Sequence, residues 1–210
     1  MERTPINAYA VRVDGMPMPA PLSGHPALDF CNTWAGWDGV TPGDYLRSYD
    51  HLVAFVAGWE LIDDDAAAAL RERAASQPGG ARGALAAARR FRESLYRVLL
   101  DPEPGPDLDV VADAARRGAE AAELELVDGH LRWNLPAAAG LRTPLHAVAR
   151  SASELLTSPE AASVGRCPGE GCGWLFLDRG GRRRWCTMST CGNRAKARRF
   201  SERQRTRVTP

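Results

Sequence analysis

The sequence predicts a mainly α-helical fold with one small α+β element, and three observations carry that prediction. Apolar residues recur with the helical period through most of residues 48–156. One short segment, 123–135, alternates with period two instead. Four of the five cysteines, Cys167, Cys172, Cys186 and Cys191, fall in the last fifth of the chain, which marks a small module of its own there.

Taken in order, residues 1–25 are rich in Pro and Gly ("DGMPMPAPLSGHP") and are expected to form an irregular lead-in. "PALDFCNTWAG" (26–36) fits a short helix opening at Pro26, a residue suited to a first helical position. "GWDGVTPGD" reads as a loop with two turn signals. From Ser48, a suitable N-cap, the residues Leu52, Phe55, Val56 and Trp59 fall at i, i+3, i+4 and i+7. A second helix over Asp63–Ser76 carries acids in its first turn, where the helix dipole favours them, and stops at Pro78-Gly79-Gly80. The longest helix is expected over 81–100, with Leu85, Ala88, Phe91 and Arg92, Leu95, Val98 and Leu99 on its buried face. "DPEPGPD" breaks it and "LDVVADAARRGAEA" resumes the helical pattern. In "ELELVDGHLRWNL", Leu124, Leu126, Leu131, Trp133 and Leu135 alternate about Asp128-Gly129, the signature of a hairpin. Pro144 then opens a helix through Leu156. The resulting division is a helical domain over 26–157, a linker over 158–165 and a C-terminal module over 166–205.

Composition narrows the class. Hydrophobic residues at 44% and charged residues at 25% are ordinary for a globular protein. No apolar run approaches the ~20 residues of a membrane span, and "MERTPINAYAVRVDG" lacks the apolar core of an export signal. A cytoplasmic protein with no membrane partner is the expectation. The net charge of +1 hides an asymmetry: from Arg166 onward 12 Lys+Arg stand against 3 Asp+Glu, a balance of +9 that leaves −8 on residues 1–165. An acidic body thus carries a strongly basic tail, and a tail of that kind is matched to a polyanion.

The cysteine spacing is C-x4-C-x13-C-x4-C. Four thiolates meet the tetrahedral preference of Zn2+, and a closed set of four cysteines is structural rather than catalytic. "CPGEGC" supplies a tight knuckle, "GWLFLDRGGRRRWC" reads as two short strands about Gly180-Gly181, and "GNRAKARRFSERQR" reads as a helix following the last ligand. Knuckle, hairpin and helix together give a treble-clef-like zinc finger holding one structural ion. Some 40 residues with Trp174, Leu175, Phe176, Leu177, Trp185, Met188 and Phe200 as their apolar content fall short of a self-sufficient core. Structural zinc would make up the difference at roughly 10–16 kcal/mol. Cys31 and the histidines His25, His51, His130 and His146 show no ligand spacing and are read as structural or surface residues.

Projected at 100° per residue, Lys196, Arg199, Arg203 and Arg207 share one face of the last helix, and Arg194, Arg198 and Arg205 share the opposite one. Asn193, Ala197 and Phe200 lie between them. Arg182, Arg183 and Arg184 add a cluster before Cys186. Arginine forks suit phosphate oxygens and guanine edges, and Asn193 suits an adenine edge. The nucleic-acid contacts expected are therefore Arg182, Arg183, Arg184, Asn193, Arg194, Lys196, Arg198, Arg199 and Arg203. Trp174, Trp185 and Phe200 are assigned to the core rather than to base stacking.

The stretch "RCPGEGCGWLFLDRGGRRRWCTMSTCGNRAKARRF" closely resembles the CGNR zinc finger, named for the tetrapeptide seen here as Cys191-Gly192-Asn193-Arg194. In that family the finger follows a helical domain called ABATE. "HPALDFCNTWAG" resembles the "LDLVNT"-like opening of that domain, and "RRFRESLYRVL" resembles its Arg-x-x-Leu-Tyr helix. The loop "DRGGRRRWC" departs from the family by being shorter and richer in glycine. The resemblance implies that the four cysteines bind zinc and that the protein is a stress-linked transcription regulator.

The leading expectation is a bacterial DNA-binding regulator whose acidic domain senses a signal or dimerises. RNA binding and a zinc-dependent protein adaptor are the alternatives. No G-x-S-x-G, Walker, H-E-x-x-H or paired-carboxylate motif occurs, so an enzyme is not expected. Asp29, Asn32 and Arg92 recur in the body motifs and are candidates to line a small-ligand pocket, with core hydrogen bonding as the competing role.

Overall fold

The computed structural model of the protein describes residues 3–39, 43–127 and 129–208. Six helices build the body: α1 (Pro26–Cys31), α2 (Tyr49–Gly58), α3 (Asp64–Ser76), α4 (Pro78–Leu100), α5 (Pro106–Ala121) and α6 (Thr143–Leu156). They share one apolar core in which Leu28, Phe30, Leu52, Val53, Leu70, Phe91, Leu95 and Leu155 are almost wholly shielded. α1 and α2 are buried along most of their length, while α4 and α5 show one apolar face each, as their periodicity predicts. Caps fix several helix starts. The His25 ring accepts the Ala27 N–H at 3.2 Å, and the Asp63 carboxylate accepts that of Ala66 at 2.7 Å.

Two boundaries differ from the sequence reading. α3 stops at Ser76 as expected, but Pro78-Gly79-Gly80 also opens α4 ahead of the expected start at 81, because proline at a first helical position forgoes an N–H that has no partner there anyway. The lead-in is not irregular either. It forms an antiparallel sheet of β1 (Arg3–Pro5), β2 (Ala10–Val13) and β3 (Met16–Pro19). Asp14 and Gly15 both take positive φ, 50° and 75°, as a tight two-residue turn requires. The sheet holds because Val13 and Met18 reach the main core, while the prolines of β3 stay on its outer edge.

The expected hairpin is present as β6 (Glu123–Val127) and β7 (His130–Asn134), although Asp128 of its turn lies outside the described residues. Its register puts Leu124 opposite Trp133 and Leu126 opposite Leu131. All four side chains stand on one face, and each is more than half exposed; Leu135 alone of the alternating set is buried. Within the loop 36–44, residues 40–42 lie outside the description; its flanks pair as β4 (Trp34–Ala35) and β5 (Gly43–Asp44).

β4 and β5 complete a buried polar layer. Arg92 of α4 is 1% exposed. Its guanidinium makes a two-pronged ion pair with Asp44 at 2.7 and 3.0 Å, donates to Thr33 Oγ1 at 2.9 Å and lies over the Trp34 ring. Asn32 bonds the backbone of Leu175 in both directions, accepting its N–H at 2.8 Å and donating to its carbonyl at 3.0 Å. Asp29 accepts the Ser23 N–H at 3.1 Å through one oxygen, while the other has no partner. Asp29, Asn32 and Arg92 are thus engaged in hydrogen bonds within the fold. They are spent on holding the loops and the C-terminal module to the helices, which is the competing role. Cys31, also buried, behaves as a small apolar side chain whose thiol burial pushes up.

Burial raises the Asp29 carboxyl to about 7, against hydrogen bonds from Ser23 and Asn32 that pull it down. The folded chain then keeps a proton that the unfolded chain releases near pH 4. The contribution of this group is complete below about pH 4 and is lost as pH rises through 7. Asp29→Asn keeps the acceptor toward Ser23 and cannot ionise. In denaturant melts it is expected to stabilise the chain by roughly 2 kcal/mol more at pH 8 than at pH 5.5. Equal effects at both pH values would show that native Asp29 is ionised throughout.

Candidate metal centre and nucleic-acid interface

The C-terminal module begins with β8 (Val164–Arg166), which pairs antiparallel with β9 (Leu175–Leu177). Between them the knuckle turns back through Cys167 and Cys172, tied by Cys167 N–H to the Trp174 carbonyl and Cys172 N–H to that of Gly169. A side chain at position 169 would stand 2.7 Å from the Cys191 sulfur, so only glycine lets the knuckle close over it. Cys186 precedes, and Cys191 lies within, a wide helical turn (Met188–Gly192) that leads into α7 (Asn193–Val208).

The four sulfurs lie within 4.8 Å of one another, and the Cys172–Cys186 and Cys186–Cys191 pairs are both 3.7 Å apart. A disulfide needs ~2.05 Å. A tetrahedron of Zn–S bonds near 2.3 Å has edges of ~3.8 Å, which matches. Without a cation the four cannot all ionise: contacts with the other three hold the Cys167 thiol far below its ordinary range and push that of Cys186 far above it. Four thiolates at this spacing need a divalent cation among them. The cysteines thus form a closed, structural site for one Zn2+.

The site is seated in the body. Tyr9, from the turn before β2, meets Cys191 Sγ at 3.7 Å and sets its ring edge-on to Trp174. Burial lifts its phenol to about 12, so it stays protonated and able to donate to a thiolate. Trp174 donates to the Trp34 carbonyl, and Trp37 N–H to that of Cys172. Tyr96 donates to the Gly173 carbonyl at 2.7 Å, accepts from Arg166, and stacks on Trp37 at 3.8 Å. Leu175 and Leu177 complete the main core itself.

The predicted hairpin about Gly180-Gly181 does not form. One edge of β9 is taken by β8, and the other by Asn32 and by Ser23, whose carbonyl accepts the Leu177 N–H. The N–H groups of Arg182 and Arg183 go instead to the Asp178 carboxylate. Arg183 then turns inward, donating to the carbonyls of Leu22 and Cys186 at 2.6 Å and lying over the Phe176 ring. It is a brace between finger and body, and is withdrawn from the expected nucleic-acid contacts.

The other expected contacts divide by their surroundings. Arg182 and Arg184 are exposed, as are Lys196, Arg199 and Arg203 on α7. Arg194 lies over the Tyr9 ring, Arg198 pairs with Glu170 across the knuckle, and Asn193 donates to the Ser189 carbonyl. The Arg207 side chain is outside the described part. Trp174 is core as expected, but Phe200 is not: it is 65% exposed. Tyr9 has no recognisable signal in the sequence, whereas Tyr96 is the tyrosine of the Arg-x-x-Leu-Tyr stretch, although nothing there points to its contact with the knuckle. Asn32 stands out there, but for a different task.

A family model named ABATE, described as "Putative stress-induced transcription regulator", matches residues 24–159. A second, the CGNR zinc finger, matches residues 163–204. No curated protein matches the chain. No helix among the described residues is long and apolar enough to cross a membrane.

Because β9 belongs to the body's core, metal removal is expected to reach beyond the finger. Chelation of zinc under reducing conditions, or Cys186→Ser, is expected to lower the melting midpoint of the helical circular-dichroism signal by roughly 10 °C or more. The loaded chain is expected to bind one zinc. Body helices that melt at an unchanged temperature without metal would show the two parts to be energetically separate.

Proposed function

Since the chain belongs to the ABATE family and ends in a CGNR zinc finger, we propose that it is a DNA-binding transcription regulator. The zinc site fixes the finger, the finger presents α7 to the duplex, and the acidic body pairs two such fingers. The observation that carries this reading is the state of α7: every residue from Lys196 to Arg205 is exposed, and the cations on it are joined by Arg182 and Arg184. The −8 of the body attracts the +9 of this segment, yet α7 stays exposed from Lys196 to Arg205, a surface matched to an external polyanion. Phosphate contacts of this kind give affinity and register, and sequence is read by the few side chains that reach base edges.

The test is fluorescence anisotropy with zinc-loaded protein and random-sequence duplex across a salt series. Engagement of about four to six phosphates gives a slope of log K against log salt near −4 to −5. Lys196→Ala with Arg199→Ala is expected to reduce its magnitude by about two. Absence of binding at low salt would sink the reading. Removing the finger is a poor control, because it would strip Leu175 and Leu177 from the body's core.

Pairing of two copies is assigned to the hairpin. Leu124, Leu126, Leu131 and Trp133 expose an apolar face on the order of 400 Å², larger than a scattered surface residue explains. An apolar face is complementary to itself about a two-fold axis, and it supplies about half of the ~800 Å² that each partner of a stable interface contributes. A second copy also gives a two-stranded ribbon, marginal alone, the cover it needs. Sedimentation at tens of micromolar is expected to give a dimer, and Leu126→Glu with Leu131→Glu a folded monomer. A wild-type monomer at that concentration would remove this part of the proposal.

A further inference from the structure

Phe200 is the one large apolar side chain within the exposed stretch 196–205 of α7. It lies one turn beyond Lys196 and just short of one turn before Arg203, at the edge of the face that those two cations share. It is 65% exposed, and the last buried residue of α7 among those described is Ala195, five positions earlier. A helix that is polar all round has no protein face to pack on. Exposed to this extent, an apolar ring in its middle suits a partner that offers negative charge on both sides and an apolar spot between.

The major groove of B-DNA is such a partner. It is ~12 Å wide and admits an α-helix of ~10–12 Å diameter, which the ~6 Å minor groove does not. Phosphates line both rims, and the one apolar group on its floor is the C5-methyl of thymine. A helix lying in that groove directs its side chains at base edges rather than between base steps, so the ring packs on a methyl instead of wedging the stack apart. We propose that α7 lies in the major groove and that Phe200 reads thymine through its methyl group. This rests on the DNA-binding reading above and adds to it a residue that distinguishes sequences. Arg194 and Arg198, which meet Tyr9 and Glu170, lie near the helix start on the opposite face.

The test uses the zinc-loaded full chain with one duplex pool and its copy in which uracil replaces every thymine, a change that deletes only the methyl. Wild type is expected to bind the thymine pool about fourfold more tightly, the size of effect one buried methyl supports. Phe200→Ala is expected to bind both pools equally, at the level of wild type on uracil, with the salt slope unchanged. Phe200→Leu, which keeps an apolar contact, is expected to retain part of the preference. The exposed position leaves folding and zinc content intact in both variants, which metal analysis and circular dichroism check. Wild-type binding that is salt-dependent but indifferent to the methyl would overturn the thymine contact and leave the DNA reading standing. A preference that survives in Phe200→Ala would assign the methyl to another side chain. Absence of binding to either pool would remove both.

Discussion

The side-chain amide of Asn32 sits where a neighbouring strand would be, bonding both the N–H and the carbonyl of Leu175. This contact lets a three-residue strand of the finger serve as a wall of the body. β9 has β8 on one side and Asn32 with Ser23 on the other, so its polar backbone is satisfied while Leu175 and Leu177 enter the helical core. The neighbouring buried groups follow from it. Asp29 orients the chain at Ser23, Arg92 holds the β4–β5 pair through Asp44, and Tyr96 anchors the knuckle through Gly173. A layer so polar and so shielded is tolerable only because nearly every group in it has a partner.

That seating separates two populations of arginine that composition alone cannot tell apart. Arg166 and Arg183 donate into the joint between body and finger, Arg92 donates to Asp44 and Thr33 within the body, and all three are committed to the fold. Arg182, Arg184 and Arg199 extend into solvent. A brace such as Arg183 donates to carbonyls that would otherwise be buried without a partner, and its loss would be felt as instability before it was felt as weaker association. The charge that remains on the outside is smaller than the +9 of the segment, yet it is concentrated on one protruding helix and one loop.

Periodicity made most of the helices legible, because a buried stripe repeats whatever it packs against. The four ligands were legible for a similar reason: tetrahedral thiolate coordination leaves its spacing in the chain. What the chain order hid was long-range pairing. The partner of β9 proved to be β8, on the far side of the knuckle, because the Arg182 and Arg183 N–H groups turn to Asp178 and the Arg183 side chain turns inward. The N-terminal sheet was hidden behind its prolines, although Asp14-Gly15 is a strong turn signal flanked by Val11, Val13, Met16 and Met18. Asn32 and Arg92 drew notice as polar residues in apolar segments, and the structure gives them anchoring roles that spacing could not specify. Phe200 was sorted into the core on hydrophobicity alone, which fails on a helix that leaves the body after Ala195.

Lys196 is the only lysine in the chain, which otherwise relies on 26 arginines for positive charge. It stands exposed on the protruding part of α7. Any lysine-directed chemistry, acetylation among them, therefore has a single side-chain target, and that target lies at the centre of the basic face. Guanidinium groups remain charged at any accessible pH. Neutralising this one ammonium is thus the only way acylation of side chains can lower the charge of the finger, and it does so without touching a contact that holds the finger in place.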